Sequence, residues 1–152
     1  MTARSVDHRS FTLERELAAH PARVFRAWSD PEAKKRWAAC DDLTTNTYFS
    51  LDFRPYGSEI SRVVGPGGNV HLFQGQYLDI VPDERIIYAY DIHVDDVRLS
   101  ASLVTVLFAP TPAGTRMTFI EQIALLDGHQ DLEERIHGTG VLFERIEREL
   151  AL

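Results

Sequence analysis

The chain has 152 residues, which is enough for one domain with its own hydrophobic core. Its 16 basic and 23 acidic residues give a formal charge of −7, the wrong sign for a protein whose main partner is a nucleic-acid backbone. The single cysteine excludes an intramolecular disulfide, and no uninterrupted apolar run of about 18 residues predicts a membrane-spanning helix. We therefore expect one domain over residues 1–152, soluble and cytoplasmic, without a targeting segment.

The first forty residues combine one strand pattern with two helix patterns. Alternation of apolar and polar residues predicts a half-buried strand over Phe11–Leu17, with Arg15 as the exception on its apolar face. A short amphipathic helix is expected from Pro21, which fits a first helical turn. A second helix should begin after Asp30, whose side chain can accept hydrogen bonds from free backbone N–H groups, and should end near Trp37.

The middle of the chain has the two-residue period of β-structure, interrupted by turns rich in glycine, proline and aspartate. The runs between these turns predict five strands: Tyr48–Val64, Asn69–Val81, Arg85–Val94, Arg98–Phe108 and Thr115–Ile123. Short connections favour antiparallel pairing, and the N-terminal strand would add an edge, which gives six strands. The remaining segment returns to a helical period, and its apolar stripe predicts one long helix over Leu132–Leu150 against the sheet.

Five groups of residues, in this order, resemble one known family. They are His20–Glu32 followed by Arg36-Trp37, then Asp52-Phe53-Arg54, Asp79–Tyr90, Gly114–Phe119, and the pair Thr118–Gln122 with His137–Gly140. Together they are similar to the SRPBCC or START-like superfamily, and within it to the bacterial stand-alone subgroup of the homologues of the activator of heat-shock-protein ATPase (Aha-type). The resemblance implies an α+β helix-grip fold, like that of the birch pollen allergen. In that fold a curved antiparallel six-stranded sheet wraps around the long C-terminal helix, and two short helices lie between strands 1 and 2.

A curved sheet cannot contact a straight helix along its whole length, so this fold leaves an internal space that many relatives use for an apolar ligand. Strand alternation and the helical projection indicate which side chains face that space, with Trp37 closing one end and Tyr56 narrowing or closing the entrance. The residues expected to line it are Trp37, Tyr56, Ile86, Tyr88, Tyr90, Met117, Phe119, Glu121, Arg135, Ile136, Thr139 and Phe143. Large aromatic rings could equally fill the space and leave no pocket.

Glu121 is the one candidate catalytic residue, because a carboxylate on an inward face is costly to bury with its charge. Three roles stay open for it: a structural pair with Arg135 or a solvated place at the cavity rim, ligand recognition, or acid–base catalysis. The hydroxyls of Tyr88 and Tyr90 need partners if they are buried. A polar-tipped ligand, an internal water or backbone carbonyls could supply them.

Other features have structural explanations. Gly138 and Gly140 weaken the terminal helix, which suggests that another group approaches its backbone closely. The Lys34–Arg36 cluster is expected to be a solvated helix face, and Cys40 a small buried residue rather than a nucleophile. The six histidines form no metal-binding motif, so neither a metal nor a cofactor is expected.

Three functions are compatible with these features. Binding of a small hydrophobic or aromatic molecule in the internal cavity, by a carrier, sensor or sequestering protein, ranks first. An enzyme of cyclase or hydrolase type that uses Glu121 and the cavity tyrosines ranks second. Regulation of a chaperone ATPase ranks third, because the eukaryotic co-chaperone has a separate N-terminal chaperone-binding domain for which we expect no residues here. A small hydrophobic ligand is thus the expected partner, without nucleic acid or membrane insertion, and a homodimer stays open.

Overall fold

One antiparallel sheet of seven strands organises residues 3–152, which the computed structural model describes. In chain order, the elements are β1 (Val6–Leu17), α1 (Pro21–Ser29), α2 (Pro31–Lys34), a π-helix (Lys35–Ala39), β2 (Thr45–Leu51), β3 (Ser58–Val64), β4 (Val70–Val81), β5 (Arg85–Val94), β6 (Val97–Thr111), β7 (Gly114–Leu126) and α3 (Leu132–Leu150). The strand order is β1-β7-β6-β5-β4-β3-β2. Strands β2 to β7 therefore form a meander, and β1 adds an edge beside β7, as the sequence predicts.

The segment predicted as one strand over 48–64 is two strands, so the expected count of six is wrong. A tight turn breaks the run: the Gly57 N–H donates to the carbonyl of Arg54 at 2.8 Å, and Tyr56 has a φ of 66°. Glycine is required at position 57, because a Cβ there would lie 2.0 Å from the carbonyl oxygen of Asp52. The turn contains no Asn-Gly, Asp-Gly or Gly-Gly dipeptide, which are the usual signals of a tight hairpin. The alternation of apolar and polar residues therefore predicts a continuous strand.

The N-terminal elements follow the local signals closely. Both α1 and α2 begin with proline, and the side chain of Asp30 accepts a hydrogen bond from the backbone N–H of Ala33 at 3.0 Å. The strand β1 is longer than alternation indicated and begins at Val6 instead of Phe11. It does so because its pairing with β7 already starts at Val6 and Leu126, so backbone hydrogen bonding extends it beyond its buried part.

The helix α3 lies on one face of the sheet, which we call the inner face. Its backbone comes close to β1, to α1 and to the π-helix, and it stays farther from the central strands. This arrangement is consistent with a helix-grip fold. The side chains that form the solid core include Val24, Trp28, Ile86, Val104, Val106, Phe108, Met117, Phe143 and Ile146. No helix in residues 3–152 has both the length and the apolar composition needed to cross a bilayer.

Candidate functional site

A cavity of about 640 Å³ lies between the inner face of the sheet and α3. Its walls are formed by side chains from β2 to β7, by Trp28, Lys34 and Trp37 from the short helices, and by one side of α3. The even-numbered residues of β5 from Tyr88 to Val94 line it, because alternate side chains of a strand share one face. The volume falls within the range of about 300–1,000 Å³ that is usual for small-molecule pockets.

The structure brings eight of the twelve sequence-predicted site residues to this cavity. They are Trp37, Tyr88, Tyr90, Phe119, Glu121, Arg135, Thr139 and Phe143. The other four do not line it: Ile86 and Met117 belong to the solid core, and Ile136 is half-buried elsewhere on α3. Tyr56 is 72% exposed in the β2–β3 turn, so it does not narrow the entrance.

Glu121 is the centre of one polar cluster in the cavity wall and is 1% exposed. Its Oε2 accepts hydrogen bonds from the hydroxyls of Tyr90 at 2.6 Å and Ser102 at 2.7 Å. Arg135 donates to the same oxygen at 3.3 Å, and its second terminal nitrogen donates to the Ser100 hydroxyl at 2.9 Å. The structure thus pairs Glu121 with Arg135, and this pairing compensates a carboxylate charge that would be costly to bury alone.

The charges of this cluster are fixed by its surroundings. Burial, followed by the neighbouring carboxylate of Glu121, raises the pKa of the Tyr90 hydroxyl well above its ordinary value. Burial lowers the pKa of the Arg135 guanidinium, but Tyr90, Glu121 and Asp131 together shift that pKa upward. Asp131, just before α3, accepts a hydrogen bond from Arg135 at 3.2 Å. At neutral pH the cluster therefore contains a neutral Tyr90 hydroxyl and a positively charged Arg135.

A second polar cluster in the cavity wall was not predicted. Lys34, the last residue of α2, is 4% exposed, so the expectation of a solvated Lys34–Arg36 face is wrong at this position. Its Nζ donates to Glu59 Oε1 at 2.8 Å, and the Tyr77 hydroxyl donates to the same oxygen at 2.5 Å. The available signal was the three-residue spacing between Lys34 and Trp37, which places both on one helix face.

Aromatic rings surround the Lys34 ammonium group. Its Nζ lies 5.0 Å from the ring centroid of Trp28, 5.2 Å from that of Trp37 and 5.9 Å from that of Tyr88. These distances are within the roughly 6 Å over which a cation is attracted to an aromatic face. The Trp37 ring is held in place because its Nε1 donates to the carbonyl of Ala27 at 2.8 Å. An ion pair and three rings therefore replace the hydration of the buried lysine.

The cavity opens toward the segment between the π-helix and β2. A surface groove of about 490 Å³ shares four lining residues with it: Trp37, Asp41, Val141 and Arg145. Arg145 donates to Asp41 at 3.2 Å and so ties this segment to α3. Partial burial raises the pKa of Asp41, but hydrogen bonds from Thr44 and Leu43 hold it below its ordinary value. Cys40 beside it is exposed, so the expectation of a small buried residue is wrong.

Gly138 on α3 borders the cavity. A Cβ placed on Gly138 would meet no atom within 4 Å, so the expected close approach to the helix backbone is wrong here. At Gly140, the atom nearest to such a Cβ is Nη2 of Arg15, at 3.4 Å, which is the end of a flexible side chain. Gly138 is exposed, so the absence of a side chain there leaves open space at the edge of the cavity instead of allowing tight packing.

The arrangement suits binding and orientation of a small molecule. The two carboxylates of the polar clusters, Glu59 and Glu121, are each paired with one cation and accept at least one hydroxyl hydrogen bond, while aromatic rings provide much of the remaining wall. Fixed polar groups in an apolar wall are what a specific small-molecule pocket requires. In the described part of the chain, no group of three or more His, Cys, Asp or Glu side chains is placed to hold a metal ion.

The sequence model of the family described as "Activator of Hsp90 ATPase homolog 1-like protein" matches residues 18–151. The chain belongs to this family. The resemblance to Aha-type proteins of the SRPBCC superfamily is thereby confirmed over nearly the whole length. A comparison with proteins of curated function finds no match for this member of the Hsp90-activator-like family.

Solved structures of several bacterial proteins have the same fold as this chain. An uncharacterized protein from Rhizobium leguminosarum is 45% identical, with 99% of both chains covered and a TM-score of 0.95. Protein Mll3558 from Rhizobium loti is 40% identical, with 95% of this chain and 99% of that chain covered and a TM-score of 0.89. Protein CV1439 from Chromobacterium violaceum is 26% identical, with coverage of 91% and 95% and a TM-score of 0.76.

Proposed function

We propose that this protein binds one small, largely apolar or aromatic molecule in the cavity between the sheet and α3. The observation that carries the proposal is the cavity of about 640 Å³ in the middle of a domain of 152 residues. Protein interiors are normally packed as densely as organic crystals, and each void loses dispersion contacts. A large space with apolar walls is therefore best explained by an occupant that restores those contacts.

The walls indicate the chemistry of that occupant. Phe73 stacks on Tyr90 with ring centroids 4.7 Å apart, and Phe119 meets Phe143 edge to face at 5.2 Å. Such rings favour flat apolar partners, and burial of apolar surface contributes about 25 cal/mol per Å². Reversible binding of this kind is sufficient for a carrier, a sensor or a sequestering protein in the cytoplasm.

Native mass spectrometry of freshly purified protein tests the proposal. We expect a fraction of the protein to carry one non-covalent adduct per chain, which denaturation releases for identification. The variant Gly138→Phe should abolish the adduct, because the new ring would enter the free space beside the cavity. The control is His137→Phe, which adds the same ring at an exposed position outside the cavity lining. Retention of the adduct by Gly138→Phe would contradict binding in this cavity.

An enzyme of cyclase or hydrolase type is the second candidate, favoured by one feature of Glu121. The three hydrogen bonds that this carboxylate receives from described residues all end on Oε2, which leaves Oε1 for a substrate. Once the bound molecule is identified, its incubation with the protein should give a product of altered mass only if this alternative holds. Glu121→Gln should then stop turnover and leave the affinity largely unchanged, whereas equal loss of both would indicate a binding role.

A further inference from the structure

Tyr88 differs in its hydrogen bonding from Tyr77, which is also buried, and from the partly buried Tyr90. The hydroxyls of Tyr77 and Tyr90 donate to the carboxylates of Glu59 and Glu121, at 2.5 Å and 2.6 Å. The Tyr88 hydroxyl makes no hydrogen bond to any group in residues 3–152, although the residue is only 8% exposed. A tyrosine that is buried to this extent usually has a partner for its hydroxyl.

The Tyr88 hydroxyl faces the cavity. Tyr88 lines this space, and its hydroxyl oxygen is not fully enclosed by protein atoms. Its ring lies between those of Tyr77 and Tyr90, with centroid distances of 5.7 Å and 6.0 Å. The hydroxyl is therefore accessible from the cavity at a point flanked on both sides by tyrosines that are already satisfied.

We propose that the Tyr88 hydroxyl donates a hydrogen bond to the ligand and thereby selects, among flat aromatic molecules, those that carry a carbonyl or similar neutral acceptor. This inference rests on the proposed function and specifies its ligand class. The hydroxyl acts as a donor because burial and the neighbouring Tyr90 and Glu121 disfavour its ionised form, which raises its pKa. A neutral acceptor fits better than an anion, because each Lys and Arg side chain of the cavity lining is already paired with a carboxylate: Lys34 with Glu59, Arg135 with Glu121 and Arg145 with Asp41.

A pair of isosteric probes tests this selection. Fluorene and 9-fluorenone are flat tricyclic molecules that differ only in a CH₂ group replaced by C=O. Dissociation constants would be measured by quenching of the intrinsic tryptophan fluorescence, with both probes, for the wild type and for Tyr88→Phe. The matched control is Tyr48→Phe, which removes the same hydroxyl at a 53% exposed position outside the cavity lining.

We expect the wild type and Tyr48→Phe to bind 9-fluorenone more tightly than fluorene. In Tyr88→Phe, the ratio of the two dissociation constants should fall by about three- to tenfold, because that is the net contribution of one ordinary hydrogen bond. A preference that persists in Tyr88→Phe, or equal binding of both probes by the wild type, would overturn the inference and leave the proposed function intact. Absence of binding of either probe to the wild type would count against the proposed function itself.

Infrared spectroscopy gives a readout that does not depend on the folding of any variant. The carbonyl stretch of 9-fluorenone bound to the wild type should lie at lower wavenumber than in cyclohexane, because a hydrogen bond weakens the C=O bond. A stretch at the cyclohexane position in the bound state would show that the carbonyl has no donor, and it would overturn the inference.

Discussion

Replacement of Lys34 by methionine probes the buried ion pair directly. The side chains of Lys34 and Glu59 are both almost fully buried, and their charged atoms lie 2.8 Å apart. Methionine keeps most of the apolar stem but removes the charge, so the Glu59 carboxylate would remain buried with only the Tyr77 hydroxyl as a donor. Removal of one partner of a buried pair costs about 3–5 kcal/mol. For a domain of this size, that corresponds to a fall of about 6–20 °C in Tm.

Urea unfolding followed by circular dichroism measures this cost, and a double-mutant cycle assigns it to the pair. Lys34→Met combined with Glu59→Gln should cost at least about 1 kcal/mol less than the two single changes added together, because no unpaired charge remains buried. The control is Lys35→Met, the same change at the next residue, which is exposed and should stay within about 0.5 kcal/mol of the wild type. A cost of Lys34→Met no greater than that of Lys35→Met, or single costs that simply add, would contradict a buried ion pair between Lys34 and Glu59.

Two further predictions concern glycine positions and alkaline pH. In urea unfolding, Gly138→Ala should stabilise the protein by up to about 1 kcal/mol, because alanine is the better helix former and its Cβ meets no atom. Gly114→Ala should instead destabilise it, because that Cβ would lie 2.2 Å from the carbonyl oxygen of Leu17; equal effects of the two changes would contradict the assigned backbone. In an absorbance titration, the hydroxyls of three tyrosines should ionise only when the protein unfolds, because burial of the hydroxyl raises the pKa of each: Tyr77, Tyr88 and Tyr90. Their folded-state pKa values lie above the unfolded value, so their stabilising effect is complete below about pH 10 and is lost above it, by up to about 4 kcal/mol per pH unit for the three together. Ionisation of these three hydroxyls near pH 10 in the folded protein would refute their burial.

The sequence predicts best on which face of a strand or helix a residue lies, because this depends only on the local backbone geometry. Strand alternation placed Tyr88 and Tyr90 on the inner face, and the helical projection brought Arg135 toward Glu121, because both depend only on regular backbone geometry. The N-cap role of Asp30 is decided within one helical turn and was also predicted correctly. Local rules therefore predicted the antiparallel meander, the edge strand, the terminal helix and one of the two polar clusters, but not the strand count.

The second cluster depends on a long-range pairing that no local rule contains. Lys34 belongs to a run of basic residues that reads as a solvated face, and its partner Glu59 is 25 positions away on another element. The alternation of apolar and polar residues predicts a continuous strand over 48–64 and gives no sign of the β2–β3 turn. It therefore does not tell on which face of the sheet Glu59 lies. The turn depends on a left-handed conformation at Tyr56, which a bulky residue adopts only when tertiary contacts favour it.

The pairing of the first strand with the last also determines when this protein can fold on the ribosome. Val6 finds its partner only when Leu126 has been synthesised, so at about 5–20 residues per second it waits about 6–24 s for that partner. The inner surfaces of the central strands stay uncovered during that time, since α3 follows all seven strands in the chain. The cavity is thus complete only after every strand and α3 have been synthesised, and a nascent chain that stalls before residue 132 would display its aromatic wall to the surrounding cell.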